Sequence, residues 1–250
     1  MNDPHVEALT YDLVPVDERY DFSSAVPWNG RLGSWECRLE AARLEAVPSE
    51  HYADEAAAQR GLESYLRAWE LSAELEQGVG FRFRFSIARV IDRQSIPGVV
   101  DLAATVVGKS GMTGQLTIVH RLSAYPPPSA KQLMSSALVE ELLGWVRELR
   151  EGRGRKLVIA YLVLTRLEYE FGERKRVAST LRVSMPVLNR LGELSVKNDP
   201  AERRKVKGPI ASLSDAERRW IDAVVPKLVL QTAAMGSQPS MLTMADLPPL

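Results

Sequence analysis

Arg174, Lys175 and Arg176, with Asn189 and Arg190 further along, are the side chains of this sequence best suited to gripping a nucleic acid. Guanidinium and ammonium groups bond phosphate oxygens, while a carboxamide or a guanidinium can also meet base edges in a groove. That divides the five: Arg174, Lys175 and Arg176 are candidates for phosphates, Asn189 and Arg190 for bases. A second cluster, Arg203, Arg204, Lys205 and Lys207, stands beside Gly208 and Pro209. Clustered cations on a loop grip phosphates, and each phosphate neutralised steepens the salt dependence of binding. The plainer alternative for this second cluster is a solvated charge run.

Nothing else in the chain groups into a reactive centre. His5, His51 and His120 are scattered with no second ligand at helical or strand spacing, and Cys37 is the sole cysteine, so no metal site and no intramolecular disulfide is expected. Cys37 alternates with apolar neighbours and reads as a small buried hydrophobe. Gly108, Lys109 and Ser110 resemble the end of a phosphate-binding loop, but Ala103 replaces the leading glycine and strand, not helix, should follow. Without a helix N-terminus the anion site is not built. The expectation is a chain with no catalytic residues and no cofactor, binding through its cations.

Arg174 to Leu194 reads RKRVASTLRVSMPVLNRLGEL and resembles the helix-turn-helix superfamily. In that resemblance Ala178 takes the small position of the first helix, Leu181, Val183, Leu188 and Leu191 the core positions, and Ser184 the N-cap of the second helix. A small residue lets the helices cross closely, the apolar positions pack them, and the second helix then offers its outer face to a major groove. Pro186 fits the first turn, where N–H groups have no intrahelical acceptor. Arg182 departs from the pattern, standing where the family usually has a turn glycine. A helical hairpin that packs and touches no DNA is the alternative.

The C-terminal layout is also similar to the HEPN superfamily, small all-helical domains that include ribonucleases of defence and toxin systems. The hydrophobic stretch Leu157 to Phe171, the basic RRKVKG and a closing helix from Ser214 carry that likeness. The family's nuclease motif needs an Arg followed after a short gap by His, and Lys207 occupies the place of that His. Lacking the imidazole base, the resemblance implies a non-catalytic member.

Charge is distributed unevenly along the 250 residues. Residues 1–146 carry 13 Lys and Arg against 20 Asp and Glu, whereas residues 147–227 carry 19 against 11. The net charge of zero therefore conceals an acidic first part and a basic second part. Such a field attracts polyanions; equally, the two parts could pair within a chain or between copies, which keeps a homodimer or another protein partner open. The start of the chain carries Asp3, Glu7 and Asp12 and no basic lead into an apolar run, and Leu157 to Leu164 is too short to cross a bilayer. A cytoplasmic protein without a membrane partner is expected.

These side chains need a scaffold. Leu13, Val14 and Val16 around Pro15 suggest an edge strand. Trp35, Cys37 and Leu39 alternate with charges, and Leu44, Ala46 and Val47 follow a polar break, which suggests a hairpin, with a helix as the rival reading. Leu62, Leu66, Trp69 and Ala73 share one helical face, with Asp54 as N-cap and Gly78 as stop. Phe81, Phe83, Phe85 and Ile87 then alternate with polar residues as a half-buried strand. Aromatics on a sheet can stack RNA bases, but the preceding helix is available to cover these, so they read as core. Leu102 to Val107 and Leu116 to Leu122 suggest a further hairpin.

Pro126, Pro127 and Pro128 form a stiff spacer. Beyond it Met134, Leu138, Leu142, Trp145 and Leu149 form a helical stripe ended by Gly152 and Gly154, and Leu157 to Phe171 is apolar on nearly every side, as in a central helix. Two short helices follow, then a last one with Ser214 and Glu217 at capping-box spacing and a bend expected at Pro226. The class is α+β: a mixed sheet with one long helix over 1–125, the proline linker 126–128, a helical domain with a helix-turn-helix-like unit over 129–235, and a flexible tail over 236–250. The reading is a DNA-binding or nucleic-acid-associated accessory protein, DNA preferred over RNA, with an assembly subunit as the alternative.

Overall fold

The computed structural model describes residues 3–17, 20–94, 120–129, 133–153, 155–199 and 212–250. The architecture is α+β: among the described residues, an antiparallel five-stranded sheet in the first part, and six α-helices that lie mostly later in the chain. The chain divides into two compact units, Met1–Ser129 and Ala130–Leu250.

In the first unit β1 (Pro4–Pro15), β2 (Tyr20–Asp21), β3 (Trp28–Leu32), β4 (Trp35–Glu40), β5 (Arg43–Pro48), β6 (Phe81–Asp92) and β7 (His120–Arg121) accompany one helix, α1 (Glu55–Ser72). The large sheet runs β3-β4-β5-β1-β6, every described pairing in it antiparallel; β2 and β7 form a separate parallel pair. The sheet is therefore antiparallel, not mixed, and β1 lies inside it between β5 and β6. The edge expected around Pro15 is not one: Pro15 closes the strand opposite Phe81, where its missing N–H costs little.

The predicted hairpin is β4 and β5, with Trp35, Cys37 and Leu39 inward and Leu44 and Ala46 facing the same core. Its two-residue loop, Ala41-Ala42, has φ of 49° and 58°, the left-handed pair that a type I′ turn requires and that alanine adopts at a cost. Asp54 accepts a hydrogen bond from Ala57 N to cap α1, and Gly78 stops it at φ 74° after a final π-helical turn, Ala73–Gln77.

Trp69 on α1 packs against Phe81 and Phe83 at ring separations of 6.3 and 5.2 Å; Phe81 is fully buried core, while Phe83 and Phe85 are half-buried against it. The alternation of β6 breaks before Ile87, which is exposed while Ala88 and Val90 turn inward. One register shift explains the break: Tyr11 pairs with Phe85 but Thr10 with Ile87, so Ser86 is the extra residue of β6, while a second shift, Ala8 with Arg89 but Val6 with Val90, places its extra residue, Glu7, in β1. Each inserted residue moves the following side chains to the other face. Glu70, buried beneath the same strand, accepts from Phe83 N at 2.7 Å and Arg67 Nη1 at 2.5 Å. Burial raises its pKa, against the lowering effect of these bonds and of Arg82.

The second unit holds α2 (Ala137–Arg150), α3 (Lys156–Phe171), α4 (Arg174–Leu181), α5 (Met185–Ser195) and α6 (Asp215–Ala233). The buried stripe of α2 is Leu138, Val139, Leu142, Leu143, Val146 and Leu149. Trp145 is only half-buried and Met134, ahead of the Ser136 N-cap, is exposed, so the expected stripe is rotated by about one position. α3 touches α2, α4, α5 and α6, as a central helix must, yet keeps an exposed side with Tyr161, Leu162 and Tyr169. Ser214 and Glu217 form the capping box of α6, which continues through Pro226 to Ala233.

The expected loose tail is instead anchored. Leu242 and Leu247 are buried, Gln231 Nε2 donates to Ser240 O at 2.8 Å, and Lys227 Nζ donates to the Asp246 carbonyl. Two spaced leucines and donors from α6 hold a segment whose Pro and Ser content reads as loose.

Candidate nucleic-acid interface

α4 and α5 are joined by Arg182, Val183 and Ser184. Val177, Ala178, Leu181, Val183, Val187, Leu188 and Leu191 are all buried, which accounts for their apolar spacing. Arg182 occupies the left-handed region at φ 53°, ψ 52°, so the turn is reached without glycine. Its carbonyl accepts from Leu242 N at 2.8 Å, and Ser184 N donates to Leu242 O at 2.8 Å. The C-terminal segment thus holds the turn from both sides. Ser184 stands at the N-cap position of α5, but its side chain makes no cap bond and its hydroxyl is buried without a partner among the described residues.

Residues 174–192 contain five cations, Arg174, Lys175, Arg176, Arg182 and Arg190, and no carboxylate. The fold sorts them into two classes. Arg174 Nε donates to Glu168 at 2.9 Å and its Nη1 to Asn189 Oδ1 at 3.4 Å, with the guanidinium lying over Gly192. Arg190 bonds Glu193 and Glu217, both at 3.0 Å. These two arginines tie helices together. Lys175, Arg176 and Arg182 are exposed and form no ion pair with a described residue. The stem of Arg176 crosses Gly172, where even a Cβ would meet it at 3.1 Å.

Glu217 anchors the internal network. It accepts from Arg190, from Lys197 at 2.6 Å and from Ser214 N at 2.9 Å. Burial alone would raise its pKa, but the Lys197 and Ser214 hydrogen bonds and the neighbouring positive charges outweigh that and lower it. The second acidic hub, Asp199, is buried and accepts from Leu213 N and Arg218.

Of the residues expected to bind nucleic acid, the structure places Lys175 and Arg176 outward on α4 and Asn189 outward on α5, while Arg174 and Arg190 are held in ion pairs. Arg203, Arg204, Lys205 and Lys207 lie outside the described residues, as do the phosphate-loop-like Gly108, Lys109 and Ser110 and most of the second expected hairpin. Arg182 is the addition. Its signal in the sequence was the departure from a turn glycine; that its side chain is exposed is shown by the structure.

Elsewhere, His120 is exposed, and Cys37 is buried with its thiol pushed up to about 12 by desolvation, which makes it a poor nucleophile at neutral pH. His5 and His51 meet at Nδ1, 3.2 Å apart, but no group of three or more His, Cys, Asp or Glu that could hold a metal occurs among the described residues. No described helix is long and apolar enough to cross a membrane. No family model, curated protein or solved structure matches the chain.

Proposed function

We propose that this chain is a non-enzymatic, nucleic-acid-binding accessory protein, with DNA the favoured ligand, and that it binds through its helical second unit. The observation that carries this reading is the outer side of α4 and its turn: Lys175, Arg176 and Arg182 face solvent in a stretch without a carboxylate. Glu173 precedes the stretch, but Lys175, Arg176 and Arg182 form no ion pair with a described residue, and exposed cations that are not paired keep their charge available to a polyanion. Fluorescence anisotropy of labelled duplex DNA, single-stranded DNA and RNA tests it. Binding should weaken steeply with added salt and with K175E/R176E; absence of binding to all three at low salt contradicts it.

A protein partner is the second reading, favoured by the exposed Tyr161, Leu162 and Tyr169 of α3. It expects a particle larger than one chain in light scattering, with Leu162→Glu and Tyr169→Glu restoring the monomer. A monomer at all concentrations for the unmodified chain counts against self-assembly.

A further inference from the structure

Resting on the nucleic-acid reading above, we infer that α4 and its turn bind phosphates and read no base sequence, so that the ligand class is nucleic acid of any sequence. In a helix-turn-helix protein the second helix enters the major groove, about 12 Å wide, and needs an outward face wide enough to meet base edges. α5 lacks one. Val187, Leu188, Leu191, Gly192, Leu194 and Ser195 are buried, leaving Pro186, Asn189 and Glu193 as its exposed residues.

Each of the three is unsuited to a base edge or to the phosphates flanking it. Pro186 has no donor. Asn189 offers its carbonyl oxygen to Arg174, which leaves its amide N–H groups as donors but takes away the bidentate pairing by which a carboxamide reads adenine. Glu193 carries a negative charge on the same strip, and its partner Arg190 is also committed to Glu217. Entry of α5 into a groove would bring that carboxylate towards the DNA backbone.

α4 has the opposite character. Its 8 residues span about 12 Å, against roughly 3.4 Å of duplex axis per phosphate on each strand, so the helix matches about three neighbouring phosphates. Lys175 and Arg176 lie at one end of it and Arg182 at the other, and the exposed Thr180 lies between. Ser179 does not add a donor, since its hydroxyl bonds Arg176 O. The backbone bonds from Leu242 fix the turn and so set the direction in which Arg182 projects.

Three phosphate contacts give a log–log salt slope of about −3 on duplex and about −2 on single strands. The test is anisotropy of the full chain with two duplexes of equal length, one A·T-rich and one G·C-rich, plus a single strand and, separately, anionic vesicles. Duplex affinities within about threefold of each other, unchanged by Asn189→Ala and lowered at least tenfold by K175E/R176E/R182G, support the inference. Glycine at 182 removes the charge while suiting the left-handed backbone, so loss of binding is not loss of fold. A tenfold preference between the duplexes that Asn189→Ala abolishes overturns base-blind recognition but leaves nucleic-acid binding standing. Binding to vesicles alone, or to nothing, overturns both.

Discussion

Leu242 and Val183 are backbone neighbours across an isolated parallel bridge, flanked by hydrogen bonds of 2.8 Å from Leu242 N to Arg182 O and from Ser184 N to Leu242 O. The segment around Leu242 is thereby tied to the α4–α5 turn. Leu242 is 5% exposed, and truncating a buried leucine to alanine costs about 3 kcal/mol. Leu242→Ala should therefore destabilise the second unit by about that amount in chemical denaturation. A cost below about 0.5 kcal/mol, ordinary for a surface residue, would show that the segment is not anchored.

Arg182 holds φ 53° without being glycine. A non-glycine residue in this region costs about 1–2 kcal/mol, partly offset by the greater unfolded-state freedom of glycine. Arg182→Gly is expected to raise stability by about 1 kcal/mol while lowering affinity for DNA. The opposite signs separate its two effects, and a destabilised variant with unchanged affinity would contradict both.

Glu217 brings Arg190, Lys197 and the start of α6 to one carboxylate. Glu217→Gln should cost about 2 kcal/mol, the scale of a charge-assisted hydrogen bond. Because the folded-state pKa lies below the ordinary 4.5, this stabilisation is complete above the unfolded carboxylate's pKa and is lost as pH falls through the folded value. Denaturation of the two proteins across acidic pH should show their stabilities converging on acidification. A constant gap would place the effect of the substitution elsewhere.

The Ala41-Ala42 loop has the backbone of a type I′ turn without its preferred residues. Replacing it by Asn-Gly should stabilise the first unit by about 1 kcal/mol, since both residues accept positive φ more readily. Thermal or chemical unfolding checks this, and an unchanged or lowered midpoint would argue against the turn.

Signals that act locally were legible. Asp54 caps α1, Gly78 stops it, and Ser214 and Glu217 form their box, because each depends on residues within one helical turn. The β4 alternation likewise follows from one face being buried. The displaced Ile87 was not legible: a register shift inserts a residue without marking it in composition, and depends on the partner strand. Nor was the anchored tail, whose two buried leucines have no period and whose hydrogen-bond partners lie far off in sequence.

At the site, residue type located the cations but could not sort them. Arg174 and Arg190 look as available as Lys175 and Arg176 until the fold brings Glu168 of α3 beside Arg174 of α4 and Glu217 of α6 beside Arg190 of α5. The turn arginine was visible as an anomaly, and its outward position followed only from the backbone at Arg182.

The salt dependence of duplex DNA binding, measured for the unmodified chain and for K175E/R176E/R182G, tests the central claim most directly. The unmodified chain should show a log–log slope near −3 that becomes shallower by about two or more in the variant, as phosphate contacts are removed. Equal slopes and affinities for the two proteins would show that the outer side of α4 makes no contact with DNA.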